Sequence, residues 1–169
     1  SAVLVAVMLV ATVSAASFDD VKEGDWFFDA VTYVSDNGLM NGTGSGFAPN
    51  RILTRAEMAV MLYNLDRAVY GESEVADAAP FTDVDAEWAK PAIVYLAEAE
   101  IINGTSKTTF SPNNYITREE MAKILVNAYL KDADMSDVPF GDADKNAWYY
   151  PYIAKAYGSG IIKGYSENV

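Results

Sequence analysis

Met58, Met61, Leu62 and Leu65 stand at the spacing of one helical face, and Met121, Ile124, Leu125 and Ala128 repeat that stripe in the same phase 63 residues later. A second kind of apolar segment precedes each stripe. Ala30, Val31 and Val34 mark it in one place, and Ala92, Ile93 and Leu96 mark it in another. Asp29, Pro91 and Pro151 sit just ahead of or inside such segments, where Asp and Pro suit the first turn of a helix. Asn37-Gly38 supplies a plausible C-terminal stop for the first of them. Between the two kinds of helix lies a glycine-rich loop ending in Pro-Asn, with room for a short extended piece. The pattern predicts helix, loop, helix. A unit of about 55 residues buries little apolar surface alone, so the copies are expected to pack together.

The repetition extends to individual residues. Leu53-Thr54-Arg55-Ala56-Glu57-Met58-Ala59 returns as Ile116-Thr117-Arg118-Glu119-Glu120-Met121-Ala122. Phe18-Asp19-Asp20-Val21 matches Phe81-Thr82-Asp83-Val84, and Phe140-Gly141-Asp142-Ala143 follows with a change at its last place. Each copy then has a tryptophan, Trp26, Trp88 and Trp148, which are the only 3 in the chain. Leu39-Met40-Asn41-Gly42, Ile101-Ile102-Asn103-Gly104 and Ile161-Ile162-Lys163-Gly164 come next. Phe47-Ala48-Pro49-Asn50 and Phe110-Ser111-Pro112-Asn113 precede the two Thr-Arg phrases. Two full copies and about half of a third are present. The expected division is a truncated signal peptide at 1–16, a repeat at 17–70, a linker at 71–80, a second repeat at 81–134 and a partial third at 135–169.

The signal-peptide reading rests on residues 2–13, a run of weakly polar to apolar residues followed by Ser14-Ala15-Ala16. That run has the length of a signal h-region and is short for a bilayer span, so export is expected, with no membrane span after cleavage. The chain carries 24 acidic and 12 basic residues, a formal charge of −12, which disfavours nucleic acid as a partner. It has no Cys and no His, which removes disulfides, thiol catalysis, thiolate metal sites and the commonest general base. No cofactor and no dedicated metal site are expected. Asp142-Ala143-Asp144-Lys145-Asn146 imitates the start of a calcium-binding loop, but Ala147 and Ile153 stand where such a loop needs Gly and Glu. A glycosidase would need a unique carboxyl pair in one cleft, and the acids here recur with the repeat or lie in linkers. The expectation is a protein that is not an enzyme.

Thr54 with Glu57, and Thr117 with Glu120, have capping-box spacing, which accounts for those four residues structurally. Arg55 and Arg118 contribute nothing to such a box and face the positive end of the helix dipole. A guanidinium beside helix-start amides can grip a carboxylate or phosphate with two parallel hydrogen bonds; the alternative is an ion pair within the chain, with Asp20 or Asp83 for instance. The tryptophans are either core or stacking faces for sugar rings, with Tyr33, Tyr95, Tyr149 and Tyr150 nearby in the alignment. A Gly-Thr loop, Gly42-Thr43 and Gly104-Thr105, completes a set suited to an acidic saccharide.

This ordered set resembles the S-layer homology repeat, and the resemblance covers nearly all of residues 18–169. It implies a mainly α fold, tandem helix-loop-helix repeats around a central helix bundle with pseudo-threefold arrangement, the third repeat incomplete. It also implies an exported module held non-covalently by acidic, often pyruvylated, secondary cell-wall polysaccharide at the bacterial cell wall or S-layer. The family's arginine, tryptophan and loop glycine map onto Arg55 and Arg118, onto Trp26, Trp88 and Trp148, and onto Gly42 and Gly104. The alternative is a structural module of the cell envelope that self-associates or binds other envelope proteins; under either reading, self-association or further domains C-terminal to this stretch are expected as options.

Overall fold

The computed structural model describes residues 18–44, 46–72, 74–76 and 80–164. The expected signal peptide at 1–16 lies outside them. Five helices account for the regular structure: α1 (Phe28–Asp36), α2 (Arg55–Tyr70), α3 (Lys90–Glu98), α4 (Arg118–Tyr129) and α5 (Tyr150–Gly158). Among the described residues there are isolated bridges but no strands, so the chain is mainly helical as expected. No helix among them is long and apolar enough to cross a membrane.

The helix starts follow local chemistry. Thr54 and Thr117 are extended N-caps, each accepting from the amide three residues on while Glu57 and Glu120 accept from the cap amide. Each box contributes on the order of 1 kcal/mol. α3 and α5 begin without a side-chain cap but carry Pro91 and Pro151 in the first turn, where the missing N–H costs nothing. Asn37 caps α1 and Gly38 follows at φ +66°, a conformation that favours glycine.

The chain divides into two compact units, one ending at Arg51 and the other beginning at Ile52. This boundary falls inside the sequence repeat expected at 17–70. In the first unit α1 buries Val31, while Ala30 of the predicted stripe stays exposed. The Phe18 and Phe47 rings meet at 5.3 Å, and the Asp20 carboxylate accepts from the amides of Phe47 and Ala48, each at 2.8 Å. Those two bonds hold the Asp20 carboxyl below its ordinary value of 3.8.

In the second unit α2 packs on α3 and α4 on α5. The core runs through Met58, Leu62, Ile93, Leu96, Phe110 and Ile124, with a smaller cluster at Ala122, Val126 and Ala156. The predicted α2 stripe needs one correction. Asp66, which accepts a hydrogen bond from the Tyr95 hydroxyl, is buried near its end, and Leu65 is only half-buried. The packing partner of α2 is therefore the first helix of the following repeat. Sequence repeat and packing unit are offset.

Candidate functional site

The start of α2 is closed by the chain itself. Helix starts leave four N–H groups without intrahelical partners. Here the amide of Arg55 donates to the Asn114 carbonyl (2.8 Å) and that of Ala56 to the Pro112 carbonyl (3.0 Å). Glu57 donates to the Thr54 hydroxyl and Met58 to the Thr54 carbonyl. No amide of this first turn remains to bind an anion, which corrects the helix-start anion site expected at Arg55.

The side chain is engaged as well. Arg55 is only 7% exposed. Its Nε donates to the Phe110 carbonyl at 2.9 Å, Nη1 to Glu120 Oε1 at 3.0 Å and Nη2 to the Asn103 carbonyl at 2.8 Å. The guanidinium lies 4.7 Å from the centre of the Phe110 ring. Three of its five N–H donors thus tie α2 to the loop and the capping box of the next repeat. Of the two readings open for Arg55, the structure shows the ion pair within the chain, and its acidic partner is Glu120 rather than Asp20 or Asp83.

Phe110 is held from the other side by the residues that open its repeat. Phe81 meets its ring at 5.5 Å, and Asp83 accepts from the amides of Phe110 (2.7 Å) and Ser111 (2.8 Å). Burial pushes the Asp83 carboxyl up, but those amides, its own amide and the positive field of Arg55 together hold it below 3.8. The bonds also fix Ser111 at φ +59°, and Ala48 in the first unit has the same φ, a left-handed conformation uncommon outside glycine. Gly104 belongs to this cradle by necessity. A Cβ there would come within 2.4 Å of the Thr109 carbonyl oxygen and 2.6 Å of the Phe81 ring. Gly42 is under the same constraint, since a Cβ there would come within 2.4 Å of the Phe18 ring.

Above this buried work lies a shallow groove of about 90 Å³. Arg55, Gly104, Thr105, Glu120, Lys123 and Trp148 border it. So the structure brings Arg55, Gly104 and Trp148 together among the residues singled out in sequence. Trp148 is 56% exposed, Trp88 60% and Trp26 92%, which excludes a core role for all three. Lys123 is the residue that sequence reasoning missed. Its ammonium sits 5.6 Å from the Trp148 ring centre and 5.9 Å from that of Tyr152. The signal was present in the repeat: α2 carries Val60 at the matching position.

Arg118 is placed differently. It is exposed and its Nη2 donates to the Lys163 carbonyl at 2.9 Å, the counterpart of the Arg55–Asn103 bond. Together with Phe140, Asp142 and Gly164, the counterparts of Phe81, Asp83 and Gly104, it borders a cavity of about 570 Å³ with Leu125 and Ile153 on its apolar wall.

An arginine bond from a Thr-Arg phrase to the loop of the next repeat thus occurs at both Arg55 and Arg118, and comparison with known proteins identifies the repeat. The model of the S-layer homology domain matches residues 17–59, 80–122 and 139–169. The chain belongs to the S-layer homology family. It is 35% identical over 172 residues to the surface-layer 125 kDa protein of Lysinibacillus sphaericus, covering 99% of this chain and 14% of that one. It is 32% identical over 146 residues to a cellulosome-anchoring protein of Acetivibrio thermocellus, covering 84% of this chain and 32% of the other. A stretch of 90 residues is 40% identical to an endoglucanase of Bacillus sp. (strain KSM-635), covering 53% of this chain and 9% of the enzyme. The S-layer homology chain thus spans a minor part of each of these relatives.

Proposed function

We propose that this chain is a non-catalytic attachment module that holds an exported protein at the bacterial cell surface by binding an acidic, pyruvylated wall polysaccharide. The observation that carries the reading is the groove at Trp148: a half-exposed indole beside a glycine loop that cannot tolerate a side chain, over a buried guanidinium. Sugar rings present C–H faces that suit an exposed aromatic surface, and the small groove takes a substituent rather than a whole ligand. In this assignment Arg55 shapes the groove floor and fixes the loop, and Arg118, Trp26 and Trp88 are contacts for further stretches of the same polymer. Family membership supports attachment. The module recurs in proteins named for a surface layer, for cellulosome anchoring and for glucanase activity, as a part serving different parents would.

The test is co-sedimentation with purified sacculi before and after removal of the secondary polymer. The protein should pellet with the first and stay in solution with the second. Trp148→Ala should weaken binding by roughly five- to tenfold, the value of one lost aromatic contact. Equal retention by stripped sacculi would transfer the assignment to an envelope protein or to the peptidoglycan itself.

A further inference from the structure

Within the groove at Trp148, two cations and one carboxylate face one another: Arg55, Lys123 and Glu120. Arg55 and Glu120 are joined at 3.0 Å, and Glu120 also accepts from the Thr117 amide. Their charges cancel locally. Lys123 has no ion pair with a carboxylate among the described residues, and its ammonium is carried on the faces of Trp148 and Tyr152. Aromatic faces attract a cation without neutralising it, so the positive charge remains available to an incoming anion. The groove volume of about 90 Å³ matches a carboxylate-sized substituent, well below the roughly 300 Å³ of a site that engulfs a small ligand. The whole chain is at −12, which disfavours long-range attraction of an anionic polymer and leaves recognition of its charge to local cations.

We infer that Lys123, rather than Arg55, pairs with the acidic substituent of the bound saccharide and sets the preference for acidic over neutral polymer. This rests on the wall-polysaccharide reading above. Of the two Thr-Arg helices, α4 carries the ammonium and α2 does not, because Val60 holds the same register on α2. The groove bordered by Trp148 is therefore acid-selective, and the α2 and α4 helices are not equivalent in what they read.

The experiment measures equilibrium binding by calorimetry to purified secondary wall polymer bearing ketal-linked pyruvate, and to the same polymer after mild-acid removal of the pyruvate. The wild-type protein, Lys123→Met and Lys123→Arg are compared, each with its melting temperature. Methionine keeps the unbranched stem against the rings and removes only the charge. Lys123→Met should bind the acidic polymer about tenfold more weakly, as expected for one charge-assisted contact, with a reduced salt dependence. Its affinity for the depyruvylated polymer should stay within about twofold of wild type, and Lys123→Arg should restore most of the loss. Unchanged affinity of Lys123→Met for the acidic polymer, or equal loss for both polymers, overturns the inference while the wall-binding reading stands. If the wild-type protein binds neither polymer, the wall-binding reading fails first and this inference with it.

Discussion

Replacing Arg55 by alanine separates stability from recognition. The substitution removes three hydrogen bonds and leaves behind two loop carbonyls, Phe110 and Asn103, and a Glu120 carboxylate whose side chain is 29% exposed. Stranding buried acceptors costs about 1–3 kcal/mol each, and breaking a buried ion pair from one side costs about 3–5 kcal/mol. The Glu120 carboxylate keeps its bond from the Thr117 amide and some access to water, which brings the expected loss to about 3–5 kcal/mol for the unit beginning at Ile52. Against a total of about 5–15 kcal/mol for an ordinary domain, that is a large fraction. Arg118→Ala acts at an exposed site, where its bond to the Lys163 carbonyl is open to water, and should cost less than Arg55→Ala, about 1 kcal/mol. Urea unfolding followed by tryptophan fluorescence reads both directly. If Arg55→Ala unfolds within about 1 kcal/mol of wild type, the clamp is not a stabilising element and the argument from burial fails. The result also governs any binding assay, because lost wall retention in Arg55→Ala reports folding before it reports contact with sugar.

Three further outcomes follow from the same geometry. Asp20 and Asp83 titrate below 3.8 when folded, so their stabilisation is present above that pH and is lost as pH falls through the folded values; acid unfolding of Asp83→Asn should be the shallower, by far-UV circular dichroism. Gly104→Ala should lower stability by about 1–3 kcal/mol in thermal melts, because backbone oxygens at 2.4 and 2.5 Å cannot move aside like a flexible side chain. Thr117→Ala should cost about 1 kcal/mol, and a double-mutant cycle with Arg55→Ala should show coupling above about 0.5 kcal/mol, since both act on Glu120; strict additivity would count against the shared network.

Much of the fold could be read from local pattern. The caps at Thr54 and Thr117, the prolines at Pro91 and Pro151 and the stop at Asn37-Gly38 are short-range chemistry, and each occurs where its spacing places it. The role of Arg55 was not legible, because its partners lie 48, 55 and 65 residues further along the chain. A helix-start arginine looks idle until the loop that covers it is in view. The packing offset was hidden for a similar reason: the repeating text shows what is copied, whereas the pairing of α2 with α3 depends on which copies touch. Lys123 was visible as a departure from Val60, but a cation on a helix gains meaning only when Trp148 and Tyr152 are found beside it.

The clamp has a consequence for how such arrays lengthen and shorten. Arg55 is completed by its downstream neighbour, so a module inserted directly after its helix must bring a glutamate, an aromatic residue and two suitably aimed carbonyls. Those residues are constrained by the preceding helix, whatever polymer the newcomer itself has come to read. Grafts joined just ahead of the Thr-Arg phrase keep donor and acceptor in one piece, and grafts joined after its helix divide them.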